Sequence, residues 1–278
     1  MTRTSTITRI AQTTTAAFIV ATGVYASAST SAAQSTVSRT DGMAKLTQTL
    51  QAHGGLDRWN AIGQLQYTVP DFPLGAKAPM NFRHIADVKL RRHLMVSDDY
   101  RLGFDGNNAW AINGDAAGIP ARFVTHGNSY FVMMPFVFAD AGATVTDLGT
   151  RYLDGATYDA LGVSYADGDT ADDDYVLFID QQTRRLKLIH FTVTYAAIRG
   201  DTPVNEVPRK ALVFDNWQDV DGLLLPQKAT FYGWADETLQ GDGNSFTVTN
   251  AVGFETRPNA SIFDRPSDAD IDATHIAN

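Results

Sequence analysis

From residue 65 to residue 254 the sequence is a nearly unbroken succession of short runs in which apolar and polar residues alternate, parted by turn-forming residues. Leu65, Tyr67 and Val69 alternate ahead of Pro70, two such runs fill 82–96, and Tyr100, Leu102 and Phe104 alternate up to Asp105-Gly106-Asn107, after which 109–112 can pair back. Further strands are expected over 145–152, 157–165, 175–179, 186–195, 211–217, 223–234 and 246–254. The connections carry Asp154-Gly155, Asp167-Gly168, Asp221-Gly222 and the stretch 241–244; of these, Asp221-Gly222 is the clearest two-residue hairpin signal. Strands and helices do not alternate, which excludes a doubly wound parallel sheet. No repeat of fixed period is visible. The reading is a mainly β, α+β chain of about 11–12 antiparallel strands. A meander of that length must curl or close on itself to bury a face, so one domain is expected over 41–278.

Helices are few. Thr40 reads as an N-cap with Asp41 in the first turn, Met43, Leu46, Thr47 and Leu50 fall on one face, and Gly54-Gly55 stops the helix. A short helical turn follows over 56–62. The main interruption of the strand pattern is 120–134, where Phe123, Tyr130, Phe131 and Met134 recur at helical spacing behind Pro120, with Gly127 and Asn128 weakening the middle.

The first residues hold Arg3 and Arg9 and no acid, 16–25 is apolar but too short to span a bilayer, and Ala26-Ser27-Ala28 and Ser31-Ala32-Ala33 follow. This is the order of a secretory signal peptide, with cleavage expected after Ala28 or Ala33 and a polar linker over 34–40. The expected location is periplasmic or secreted.

A formal net charge of −9 with no basic stripe argues against a nucleic-acid partner. With no cysteine in the 278 residues, disulfides, thiolate metal sites and cysteine catalysis are excluded. The six histidines, His53, His84, His93, His126, His190 and His275, show no zinc spacing. His84 and His93 can approach each other across a hairpin, but partly exposed strand positions are the simpler reading. His53, at a helix end, suits an imidazolium meeting free carbonyls. Ser129 lies in Gly127-Asn128-Ser129-Tyr130-Phe131, which lacks the second glycine of a nucleophile elbow. Asp167, Asp169, Asp172, Asp173 and Asp174 miss the calcium-loop spacing and read as a solvated hairpin loop. No phosphate loop or dinucleotide fingerprint is present, so no metal, cofactor or catalytic set is assigned.

The segment 130–139, YFVMMPFVFA, is apolar throughout. It belongs either in the core or across the mouth of a curved sheet, where flexible methionines adapt to apolar ligands. Five features then carry a resemblance: His53-Gly54-Gly55-Leu56-Asp57-Arg58-Trp59; Met134-Pro135-Phe136-Val137-Phe138-Ala139-Asp140; Tyr175 with Phe178-Ile179-Asp180; Val220, Gly222 and Pro226; and the closing Ile262-Phe263-Asp264-Arg265-Pro266. The chain resembles exported bacterial families similar to the LolA/LolB-like lipoprotein carriers. The resemblance implies a strongly curved antiparallel half-barrel with helices over its concave face and an apolar hollow for an acyl chain, lipid or lipoprotein. Candidates for lining that hollow are Tyr67, Phe82, Trp110, Tyr130, Phe131, Met134, Phe136, Phe138, Phe178 and Phe231. The alternatives are an exported hydrolase with an unassembled His/Asp site and a non-catalytic envelope module.

Overall fold

The structure, a computed structural model, describes residues 39–74, 79–166 and 171–274. The expected signal peptide and most of the linker, Asp167-Gly168, Asp169 and His275 lie outside the described residues. Two antiparallel seven-stranded sheets make up the body. The first contains β1 (Gln64–Phe72), β2 (Met80–Asp87), β3 (Arg92–Val96), β4 (Arg101–Phe104) and β5 (Ala109–Ile112) in sequence order. The second runs from β6 (Ala143–Leu153) through β7 (Ala156–Tyr165), β8 (Asp174–Asp180), β9 (Leu186–Phe191) and β10 (Lys210–Val220) to β11 (Leu223–Ala235) and β12 (Thr238–Thr247). After the single residue Val248 the chain continues as β13 (Thr249–Phe254), which pairs with β1. The stretch 238–254 therefore borders β11 with its first part and β1 with its second. At the crossing the Asp71 carboxylate accepts the Thr247 amide at 2.9 Å. β14 (Asp270–Asp272) closes the far edge of the first sheet beside β5. The sheets do not close into a barrel; the expected curved half-barrel is what forms.

Fourteen strands are present among the described residues, against the expected 11–12. The stretch 241–244 is not a turn but lies within β12, where Gly241 and Gly243 take φ of 82° and 78°. A Cβ on Gly243 would sit 2.6 Å from the Tyr232 ring of the neighbouring strand, so the glycine makes room for a cross-strand aromatic. The β11–β12 turn is made by Asp236 and Glu237, both at positive φ, without the glycine that signals such a turn. The strand expected over 186–195 stops at Phe191, and a short helix, α5 (Ala196–Arg199), follows Tyr195.

α1 (Arg39–Ala52) lies along β6, and its buried face differs from the expected one. Leu46, Thr49 and Leu50 are buried while Met43 and Thr47 are exposed. Gly42 selects this rotation: a Cβ there would come within 2.9 Å of the β6 backbone. α2 (Gly55–Ala61) follows at once, and the two helices clasp the β10–β11 hairpin. Asp221 and Gly222 turn that hairpin with both φ positive. Gly54, at φ +111°, packs so closely on it that a Cβ would lie 2.3 Å from the Gly222 carbonyl oxygen. The His53 carbonyl accepts the Leu224 amide at 2.8 Å. Its ring donates from Nδ1 to the Leu224 carbonyl at 2.9 Å and accepts the Leu186 amide at Nε2 at 3.2 Å. His53 is thus a neutral bridge between two strands, not a charged helix cap; burial pushes its pKa down to about 4. Arg58 donates to the Asp221 carbonyl. Trp59 stacks on Phe136 with ring centroids 4.8 Å apart. The HGGLDRW segment and the Val220–Pro226 motif are two halves of one joint.

α3 (Gly114–Ala117) leads into α4 (Ala121–Val132), which packs on the concave side of β3, β4 and β5. The tight turn Phe136–Ala139 follows. Together they fill the trough with the main core. Two smaller clusters occupy the opposite faces of the strands. One gathers Phe178, Leu188 and Trp234, the other Ile85, Leu94, Trp110 and Phe263.

Candidate ligand-binding cavity

Between α4 and the strands, the filling of the trough is incomplete and leaves a cavity of about 420 Å³. That is within the range of small-molecule sites, roughly 300–1,000 Å³. Its wall is mostly aromatic. Phe131 from α4 meets Phe191 of β9 at 5.4 Å, and Phe191 stacks on Tyr175 of β8 at 5.8 Å. Tyr130 contacts Tyr175 at 5.4 Å and shares a 2.7 Å hydroxyl bond with Tyr165 at the end of β7. Burial pushes the Tyr165 phenol up to about 12 and Tyr130 well above its ordinary value, so both stay uncharged. Gly127 in the middle of α4 faces the cavity, and a Cβ there would meet nothing within 4 Å.

The ten candidate side chains are not all brought together. Tyr130 and Phe131 are on the cavity wall. Phe231 packs on Phe131 from behind at 5.3 Å, and Phe138 on Tyr130 at 5.8 Å. Met134, Phe136, Tyr67 and Phe82 are buried in the main core and do not border the cavity. Trp110 and Phe178 point to the opposite faces of their strands. Trp110 Nε1 donates to the Phe263 carbonyl at 2.9 Å, and Phe178 packs on Trp234. The segment 130–139 is therefore divided: its helical part faces the cavity, and Met134 and Phe136 fill the core beneath.

The buried side of the cavity is polar, a feature absent from the sequence-based candidate set. His84 and His93 are buried at 0 % and 1 % exposure, not partly exposed, because the concave faces of β2 and β3 both lie under α4. His84 Nε2 lies 3.3 Å from His93 Nδ1, and His93 Nε2 lies 3.4 Å from the Ser129 hydroxyl. At the other end, Tyr67 donates to Asn128 Oδ1 at 2.9 Å, with His84 Nδ1 2.8 Å from the same hydroxyl. Burial holds His84 near 4, and burial together with His126, His84 and Arg91 holds His93 well below its ordinary range. The rings are neutral at physiological pH. His126 packs on His93 and donates from Nδ1 to the Arg122 carbonyl at 2.8 Å. Among the described residues no group of three or more His, Asp or Glu side chains is placed to hold a metal ion. His93, His126, Asn128 and Ser129 all border the cavity.

One charged pair and one buried carboxylate complete the rim. Arg91 pairs with Asp140 and lies 5.9 Å over the Trp59 ring. Asp173, expected in a solvated loop, is buried and accepts the Thr194 amide at 2.6 Å.

Comparison with solved structures gives matches at 11–12% identity. The fold is similar to that of a LolA superfamily protein. That protein, from Nitrosomonas europaea, is 11% identical with a TM-score of 0.49, over 81% of this chain and 97% of that one. A DUF1329 family protein from Desulfovibrio piger is 12% identical with a TM-score of 0.43, over 80% and 97%. Lipoprotein LppX from Mycobacterium tuberculosis is 12% identical with a TM-score of 0.25, over 57% and 91%. No family model and no curated protein matches the chain. Among the described residues no helix is long and apolar enough to cross a membrane.

Proposed function

We propose that the chain is an exported binding protein that holds an apolar ligand, a lipid or an acyl chain including that of a lipoprotein, in the cavity beneath α4. Cleavage after Ala28 or Ala33 releases a mature chain whose residues 41–278 form one half-barrel domain. The observation that carries the reading is the cavity itself, about 420 Å³ walled by Phe131, Phe191, Tyr175 and Tyr130. Folding ordinarily closes such space, since interiors pack to crystal density. Burying an acyl chain there contributes about 0.8 kcal/mol per methylene, so affinity needs no catalytic group.

The test uses diphenylhexatriene, which fluoresces on entering an apolar site. Wild type is expected to take it up with saturation. Gly127→Phe, which fills the cavity from a position with open space, is expected to bind at least about tenfold more weakly while keeping the wild-type circular dichroism. No uptake by wild type, or equal uptake by the folded variant, would overturn the reading.

A further inference from the structure

We infer that the cavity receives its ligand polar group first, and that this group is an uncharged oxygen acceptor, a carbonyl of the ester or amide type, which accepts a hydrogen bond from Asn128 Nδ2. The inference rests on the binding reading above and assigns the chemistry of the ligand's buried end.

Asn128 is completely buried and borders the cavity. Its Oδ1 is committed, accepting from Tyr67 at 2.9 Å with His84 Nδ1 at 3.1 Å. Its Nδ2 has no hydrogen-bond partner in the protein. An amide holds its two arms apart, so the arm opposite Tyr67 and His84 is a buried donor left open. Leaving such a donor unpaired destabilises the empty site, and a ligand oxygen removes that cost. The neighbouring polar groups are all engaged with one another: Ser129 donates to the His126 carbonyl at 2.9 Å, and His93 faces His84 and Ser129. The acceptor therefore meets one open donor set among neutral rings.

The charge of the surroundings selects the neutral group. His84 and His93, the rings beside Asn128, are held uncharged, chiefly by burial, so neither supplies a cation to the open donor's ligand. Arg91 is paired with Asp140, and Arg122 Nη1 donates to the Asn107 carbonyl. Two carboxylates, Asp140 and Asp173, already stand in the wall. A carboxylate head would enter against their like charge and lose its hydration on burial. An ester or amide oxygen carries no such penalty. The apolar remainder then lies against Phe131, Phe191 and Tyr175, toward the half-exposed rim at Phe123 and Leu74.

The experiment measures displacement of diphenylhexatriene from wild type at pH 8 by three ligands of matched chain length: methyl dodecanoate, the corresponding ether without the carbonyl, and dodecanoate. The ester is expected to displace about tenfold more effectively than the ether, and dodecanoate no better than the ether. Asn128→Asp keeps the acceptor for Tyr67 and removes the open donor; it is expected to erase the ester preference while still taking up diphenylhexatriene. Equal displacement by ester and ether, or strongest displacement by dodecanoate, overturns the inference while leaving the binding reading standing. Failure of wild type to take up the probe overturns both. The ester–ether comparison needs no variant, so a misfolded Asn128→Asp does not remove the test.

Discussion

His53 sits where an ionisable side chain costs the fold most, buried between β9 and β11 with both ring nitrogens used. Its pKa is about 4 in the folded chain against 6.5 when exposed, and His84 is displaced to the same value. Well above pH 6.5 neither state binds a proton and stability does not depend on these groups. As pH falls from 6.5 toward 4 the unfolded chain takes up protons that the folded chain refuses, so stability falls. The loss approaches about 3 kcal/mol for each ring at pH 4. The urea midpoint is therefore expected to be lower at pH 4.5 than at pH 7.5, and the drop to be smaller in His53→Gln, whose side chain does not titrate. An unchanged drop in His53→Gln would show that His53 is already charged in the fold. Part of this was legible from residue types: the glycine pair after His53 marked a helix end, and the alternation of Phe82, His84 and Ala86 places all three on one face of β2. What the alternation does not reveal is which face a helix from elsewhere in the chain will cover. His84 and His93 are buried because α4 lies over them, and α4 is 25 or more residues further on.

Glycine has opposite meanings at two positions of the chain. Gly54, between α1 and α2, holds φ +111° with the Gly222 carbonyl oxygen where a Cβ would go. Gly54→Ala is expected to destabilise by more than about 1 kcal/mol, since both backbone strain and collision oppose it. Gly127, inside α4, has ordinary helical backbone and open space beside it, so Gly127→Ala is expected to stabilise by up to about 1 kcal/mol. Thermal or urea denaturation of the two variants checks both signs; a stable Gly54→Ala would mean the clasp on the β10–β11 hairpin is loose. The same contrast explains what could be read at this scale. The hairpin at Asp221-Gly222, the helix stop at Gly54-Gly55 and the helix over 121–132 were signalled by local chemistry. The α1 face was read one step off because its rotation is set by Gly42 meeting β6, about a hundred residues away. The stretch 241–244 reads as a turn because a glycine such as Gly243, which accommodates Tyr232, looks the same in sequence as one that bends the chain.

At the scale of the whole molecule, the decisive element is the stretch 238–254, which serves both sheets. The sequence shows that a meander this long must curl, but the sharing of one strand between two sheets depends on register, and register here is set by contacts such as Asp71 with Thr247 that span 176 residues. The cavity has the same origin: it is the space left when α4, β8 and β9 meet, and no local pattern encodes a space. Because β12 and β13 are one run of backbone, neither sheet can lose its edge without releasing the other, and the main core draws residues from both. The two sheets are expected to unfold together. Trp110 reports the outer face of the first sheet and Trp234 that of the second, since each packs in its own small cluster. Variants that keep only one of these tryptophans, with the others replaced by phenylalanine, are expected to give coincident urea midpoints. Saturating diphenylhexatriene is expected to raise both by the same amount, because a ligand bound only to the folded state stabilises the whole cooperative unit. Midpoints that separate, or a probe that shifts Trp234 alone, would divide the half-barrel into two units and confine the cavity to the second.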